Sequence, residues 1–179
     1  MADAATSAMQ IVLPQEYPLI LLGCVILCCE CFLLGPIVIA PARFGTFTSE
    51  FMAQFKEEHE KAFPGASPAN GGFPDCGDGR YAAKLPYKDW VKFNNAMRVH
   101  LNFVEMLPAV LTILCLSGLF LPKITMYVAF INAGARIVYT AMYVKGGSDS
   151  RVLGAVAGSL PLYLLALAGF AFAIKEVVA

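Results

Sequence analysis

The sequence predicts an all-α integral membrane protein, a four-transmembrane-helix bundle, and three observations lead there. Hydrophobic residues make up 58% of the 179-residue chain, with a mean hydropathy of +0.65, against the roughly 45–50% apolar content usual for soluble domains. Four segments, near 17–40, 91–120, 124–144 and 152–174, reach the roughly 20 apolar residues that a bilayer crossing requires. Polar residues inside two of these segments line up along one helical face each, Arg98, Asn102 and Glu105 in the second and Asn132, Arg136, Tyr139 and Tyr143 in the third. All of 1–179 therefore reads as one membrane domain, with 45–89 as a polar loop inserted between the first and second spans.

Formal net charge is zero and there is no basic run, which argues against a nucleic-acid partner. Met1–Gln10 has no Lys or Arg and carries Asp3. It lacks the basic start of a signal peptide and the Arg-rich pattern of a transit peptide, so the first span reads as an uncleaved insertion signal. Of the 13 Lys and Arg residues, nine (Arg43, Lys56, Lys61, Arg80, Lys84, Lys88, Lys92, Lys145, Arg151) flank loops 1–2 and 3–4, whereas Lys123 and Lys175 lie on the other side. The positive-inside rule then places the long loop in the cytosol and both termini across the membrane. The endoplasmic reticulum membrane is the expected location, with a mitochondrial or plastid membrane as the alternative.

Pro14-Gln-Glu-Tyr-Pro18 suits an interfacial start to the first span, with Tyr17 at headgroup depth. Glu30, near the middle of that span, should face protein rather than lipid. Gly35-Pro36 marks a kink, and Pro41-Ala-Arg43 brings the chain out into the cytosol. In the insert, residues 51–63 (FMAQFKEEHEKAF) form an amphipathic surface helix, and the Gly/Pro/Asn/Asp-rich 64–80 is irregular. Gly77-Asp-Gly79 lacks the ligand spacing of a calcium loop. Four of the six cysteines (Cys24, Cys28, Cys29, Cys31) crowd the first span. The C-x-x-C there lies in an apolar helix without a second pair, so these read as small packing residues, with no metal and no disulfide.

The second span opens with Arg98-Val-His-Leu-Asn-Phe-Val-Glu105. At about 100° per residue, Asn102 falls about 40° from Arg98 and Glu105 about 20° to its other side, while His100 points about 200° away. Asn94 and Asn95 extend the stripe one turn earlier. In the third span Asn132, Arg136, Tyr139 and Tyr143 fall within about 60° of one another. Charge at such depth costs roughly 2.5–3.5 kcal/mol per group on insertion scales, so these residues pair with one another or bind something polar. Interhelical hydrogen bonding without a ligand is the plainer alternative, above all for His100; Tyr143 also suits a simple interface aromatic. In Lys145-Gly-Gly-Ser-Asp-Ser-Arg151, one of Ser148, Asp149 or Ser150 caps the fourth helix and leaves Arg151 in its first turn. A cation there opposes the helix dipole, which points to an anionic partner.

Arg98, Arg136, Arg151 and Arg43 thus gather at the cytosolic half of the membrane, with Glu105 of opposite sign and Asn102, Tyr139 and Tyr143 as neutral donors. Such a set suits a small zwitterion with several carboxylates and one amine, and the bilayer would supply an apolar second substrate. No Ser-His-Asp order, H-E-x-x-H, Walker loop or dinucleotide fingerprint is present.

The stripe Arg98-x-His100-x-Asn102-x-x-Glu105 followed by Pro108 resembles the signature of the membrane-associated proteins in eicosanoid and glutathione metabolism. Gly134-Ala-Arg-Ile-Val-Tyr-Thr-Ala-Met-Tyr143 resembles that family's next motif, and Arg151 stands where the family places an arginine. Leu13-Pro-Gln-Glu-Tyr17 looks like the third type of its microsomal glutathione transferase branch. The resemblance covers about 13–44 and 91–173 and leaves 45–90 unmatched. It implies a homotrimer binding glutathione as co-substrate between subunits near the cytosolic face. Arg98, His100, Asn102, Glu105, Arg136, Tyr139 and Tyr143 would hold the tripeptide. Arg151 would stabilise its thiolate, and Arg43 would assist the leaving or accepting group. The implied activity is glutathione transfer to lipophilic electrophiles or reduction of lipid hydroperoxides. Met106 stands where the leukotriene-making branch carries an aromatic, which argues against leukotriene synthesis. The alternative is a non-catalytic relative, an accessory subunit among the other subunits of a larger membrane complex.

Overall fold

The computed structural model describes residues 12–178, and every regular element among them is helical. The reading of Met1–Gln10 lies outside these residues. Helix α1 (Tyr17–Leu34) starts with Pro18 in its first turn, where a missing N–H costs nothing. It passes through one π-helical turn (Gly35–Ile39) into α2 (Ala40–Thr46). The sequence expects a kink at Gly35-Pro36 and an exit at Pro41, but the helical run Tyr17–Thr46 is continuous. Pro36 falls in the first turn of the π segment and Pro41 in the first turn of α2, and widening the backbone there accommodates the rings.

Helices α3 (Ser49–Ala53) and α4 (Lys56–Ala62) share the stretch expected as one amphipathic helix. Thr48 caps α3, accepting from the Phe51 N–H at 3.2 Å. Residues 64–80 are irregular apart from one turn at Asn70–Gly72. The insert nonetheless folds around its own core of Phe47, Met52, Phe55, Ala82, Phe93 and Met97. The buried Asp75 carboxylate accepts from the N–H groups of Gly77 (2.8 Å), Gly79 (3.1 Å) and Ala82 (2.8 Å). Trp90 Nε1 and Asn94 Nδ2 both donate to the Gly77 carbonyl, at 2.9 and 3.1 Å, which ties the loop to the next helix.

Helix α5 (Tyr87–Phe120) begins four residues ahead of the expected span, directly after Pro86. Helices α6 (Pro122–Gly146) and α7 (Val152–Val178) complete the bundle. Its core runs along α1 through Ile20, Leu27 and Leu34 and meets Val99, Phe103, Val110 and Leu114 of α5 and Ala129 and Ala133 of α6. Three helical runs, Tyr17–Thr46, Tyr87–Phe120 and Ser148–Lys175, are long and apolar enough to cross a membrane. α6 has the length at 25 residues, but Asn132, Arg136 and its tyrosines dilute its apolar content below theirs. The α6–α7 connection also differs from expectation. Gly147 adopts φ +76°, Ser150 Oγ donates back to the Gly146 carbonyl (3.1 Å) and Ser148 Oγ to Asp149 Oδ1 (3.2 Å). The turn thus closes on itself, and Arg151 ends a short 3-10 segment (Ser148–Arg151) just ahead of α7.

Candidate functional site

Residues four apart stack on one helical face, so α5 presents Arg98, Asn102, Met106 and Val110 as a column about 18 Å long. Opposite it, α6 presents Tyr139, Arg136 and Asn132, and the start of α7 presents Gly154, Gly158 and Leu162. These columns, with Arg151, line one cleft of about 340 Å³. The α6–α7 wall is thin because glycines let the backbones meet. A Cβ at Gly154 would lie 2.5 Å from the Tyr139 backbone nitrogen, and one at Gly158 3.4 Å from Ala135 Cβ. Cross-links between columns fix the register. Arg136 Nη1 donates to Asn102 Oδ1 at 2.9 Å, and Asn132 Nδ2 donates to the Gly158 carbonyl at 3.0 Å.

The guanidinium of Arg136 lies 4.6 Å from the Phe103 ring centroid and 5.6 Å from that of Tyr139. That of Arg151 lies 5.2 Å from the Tyr143 ring, whose centroid is 5.6 Å from that of Tyr139. Aromatic faces thus hold both cations in place without neutralising them. Among the described residues the ion pairs are Lys61–Glu57 and Arg80–Glu58, both reaching only the insert. Arg98, Arg136 and Arg151 therefore have no carboxylate partner there. Two residues that line the cleft each hold a buried, unpartnered polar atom, Asn132 Oδ1 and Tyr139 OH. Arrangements of this kind persist when something else completes them.

The cleft gathers Arg98, Asn102, Arg136, Tyr139 and Arg151. Tyr143 stands behind it, buried and supporting Arg151. Glu105 is exposed on α5 and His100 half-buried, and neither lines the cleft. Arg136, which could have paired with Glu105, turns to Asn102 instead. Arg43 is not brought to the cleft. It is 4% exposed, donates to the Gly71 carbonyl at 3.2 Å, and its guanidinium lies 4.3 and 5.1 Å from the Phe73 and Phe93 rings. Asn94, expected to extend the polar stripe, serves the Gly77 carbonyl. The α7 wall of Gly154, Gly158, Ser159 and Tyr163 is absent from the sequence expectation, although its Gly-x-x-x-Gly spacing is a signal of close helix approach.

Glu30 keeps company with protein as expected. Its Oε2 is buried without a partner, in a second, apolar groove of about 320 Å³ whose wall includes Arg136 and Phe103. No curated protein matches the chain. A family model described as the MAPEG family does match, over residues 26–171, a range that takes in every residue of the cleft and the insert as well; the chain belongs to the MAPEG family.

Proposed function

We propose that the protein is a four-span, trimeric glutathione transferase and peroxidase of the endoplasmic reticulum membrane, with the long insert on the cytosolic side. One observation carries the reading: three arginines without carboxylate partners share a single cleft with a buried, unpartnered tyrosine hydroxyl. Glutathione offers two carboxylates, an ammonium and a thiol. Arg98 and Arg136 suit the carboxylates, since guanidinium matches carboxylate geometry with paired hydrogen bonds. Asn102, already oriented by Arg136, has an amide nitrogen free to donate. Glu105 and His100, which do not line the cleft of their own chain, would meet the neighbouring copy. The opening Leu13–Tyr17 lies outside the family match and remains the sole support for placement in the third microsomal branch.

Arg151 stands where the chemistry needs a cation. A thiol with a pKa of about 8.5 is mostly protonated at pH 7, and a neighbouring positive charge raises the thiolate fraction. The thiolate attacks an electrophilic carbon: the C–S bond forms and the bond to the leaving group breaks, chloride departing from a chlorinated aromatic. With a hydroperoxide it attacks the terminal oxygen: the S–O bond forms, the O–O bond breaks, and the alkoxide leaves. The proton lost by the thiol returns to that alkoxide. A second glutathione then converts the sulfenic acid to disulfide and water.

The test is conjugation of 1-chloro-2,4-dinitrobenzene and reduction of cumene hydroperoxide by the purified protein in detergent. Absence of both, together with no glutathione binding, would sink the enzyme reading. A second reading, an accessory subunit of a larger complex, draws on the insert, whose folded surface exposes Phe63 and a stacked Tyr87–Trp90 pair. An inactive protein isolated in fixed ratio with other subunits would favour it.

A further inference from the structure

Glu30 is the one charged residue of α1, and the packing of that helix decides what it faces. The hydroxyl of Tyr17 donates to the Cys115 carbonyl at 3.2 Å, which sets the start of α1 against the end of α5. A single residue, Leu121, separates α5 from α6. Both pairs are thus antiparallel, and α1 runs parallel to α6. The two helices touch at Gly23, where a Cβ would lie 2.7 Å from Ala129 Cβ. Seven residues further along a helix the face is nearly the same, about 10.5 Å on. Counted from Gly23 and Ala129, that step reaches Glu30 and Arg136. They are the two charged residues lining the apolar groove of about 320 Å³. Among the described residues the ion pairs lie in the insert, so Glu30 does not grip Arg136. Asn102 and the rings of Phe103 and Tyr139 do that. What reaches the guanidinium from α1 is charge alone.

We infer that Glu30 is a positioning residue of the cleft that acts through Arg136, facing the cation from the groove side and holding down the affinity for glutathione. Arg136 borders both cavities. A ligand carboxylate in the cleft and the Glu30 carboxylate in the groove therefore share one guanidinium, and each weakens the other's hold on it. Three arginines with no such offset would grip an anionic product as firmly as the substrate. Binding that is equal in ground and transition states lowers KM without raising kcat, so moderating it does not slow the chemistry. The identity of the ligand rests on the glutathione reading; the coupling of Glu30 to Arg136 rests on the α1–α6 register and is measurable without ligand.

The experiment measures Kd, KM and kcat for glutathione with the full-length protein in lipid nanodiscs, comparing the parent with Glu30→Gln and Glu30→Asp. Glu30→Gln keeps the shape and removes the charge. Its Kd and KM are expected to fall about tenfold, the scale of one unit charge roughly 10 Å from a carboxylate at an effective dielectric of about 20. Its kcat does not rise and its melting temperature holds. Glu30→Asp, which keeps the charge, stays near the parent. A merely structural role would move KM the other way, so an unchanged or raised KM in Glu30→Gln overturns the inference. So does an equal gain in Glu30→Asp, or the same gain when Arg136→Gln is already present. Infrared spectroscopy reads the coupling without ligand. In Arg136→Gln the carboxyl of Glu30, left in an apolar groove without a cation, takes up a proton. A protonated-carboxyl band is expected to appear there and to vanish on adding Glu30→Gln. No such band, or the same band already in the parent, overturns the coupling; should Glu30→Gln fail to fold, the band in Arg136→Gln decides. Should the band appear while glutathione neither binds nor reacts, the coupling stands and the transferase reading falls.

Discussion

Arg151 sits just ahead of the positive end of α7, where a cation is electrostatically unwelcome, and its support is the face of Tyr143. Removing it should therefore leave the fold intact and act on chemistry. Arg151→Ala is expected to lower kcat for glutathione conjugation about 100-fold, the scale of one lost transition-state donor, with an unchanged melting temperature. An equal fall in stability would mark it as structural. Arg43 should behave in the opposite way. Enclosed by Phe73, Phe93 and the Gly71 carbonyl, it holds the insert onto α2. Arg43→Met leaves that carbonyl unpaired, at a cost of about 1–3 kcal/mol. The loss should appear as faster proteolysis of the insert, with the KM for glutathione unchanged; a selective loss of kcat would return Arg43 to the chemistry. The contrast shows what residue types can and cannot say. Arg98 and Arg136 were legible because charge deep in an apolar segment demands an explanation, and Arg151 because a cation at a helix start opposes the dipole. Arg43 was not, because its fate depends on Gly71 and Phe73, which reach it through an irregular loop. Asn132 was read as part of a stripe, but its free acceptor appears only once Gly158 takes its amide.

Among elements, α6 and α7 make the closest approach, and it is set by backbone. A Cβ at Gly154 would meet the Tyr139 backbone nitrogen at 2.5 Å, and main chain cannot swing aside as a flexible side chain can. Gly154→Val should force the helices apart at a cost of about 1–3 kcal/mol and open the cleft that Tyr139 and Arg151 share. The measurement is thermal unfolding beside glutathione affinity, and retention of both would show that the contact yields. In the insert, Asp75→Ala strips three backbone N–H groups of their acceptor. Hydrogen exchange of Gly77, Gly79 and Ala82 should accelerate while the bundle stays protected. Hydropathy located the first, second and fourth spans well, since apolar length is a property of composition. Their ends nearest the insert were less legible: α2 runs past Pro41 and α5 begins at Tyr87, directly after Pro86, because a proline in or just before a first turn starts a helix as readily as it stops one. The insert's core was the largest omission, its aromatics being spread from Phe47 to Met97 without a period to reveal them.

For the whole molecule, the unresolved account is the outer face of α5. Glu105 is exposed there beside Leu101 and Val104, inside a helix apolar enough to cross a membrane. A carboxylate facing lipid costs about 2.5–3.5 kcal/mol near the centre of a span, and among the described residues no ion pair offsets it. The bundle answers Arg136 with Asn102 and aromatic faces, but it leaves Glu105 to something outside itself. A second copy would offset the cost, since exposed Arg98 lies about two turns earlier on the same helix, and a symmetric assembly brings such groups together. The two explanations predict opposite signs for one substitution. If Glu105 faces lipid, Glu105→Leu removes a penalty, and the protein becomes more stable at every concentration. If it faces a neighbouring copy, Glu105→Leu strands the group that it meets there; the trimer seen by native mass spectrometry then dissociates at higher protein concentration than the parent, and glutathione affinity falls with it. The second outcome is expected, because a neighbour that meets Glu105 also closes the open side of the cleft that Arg98 begins.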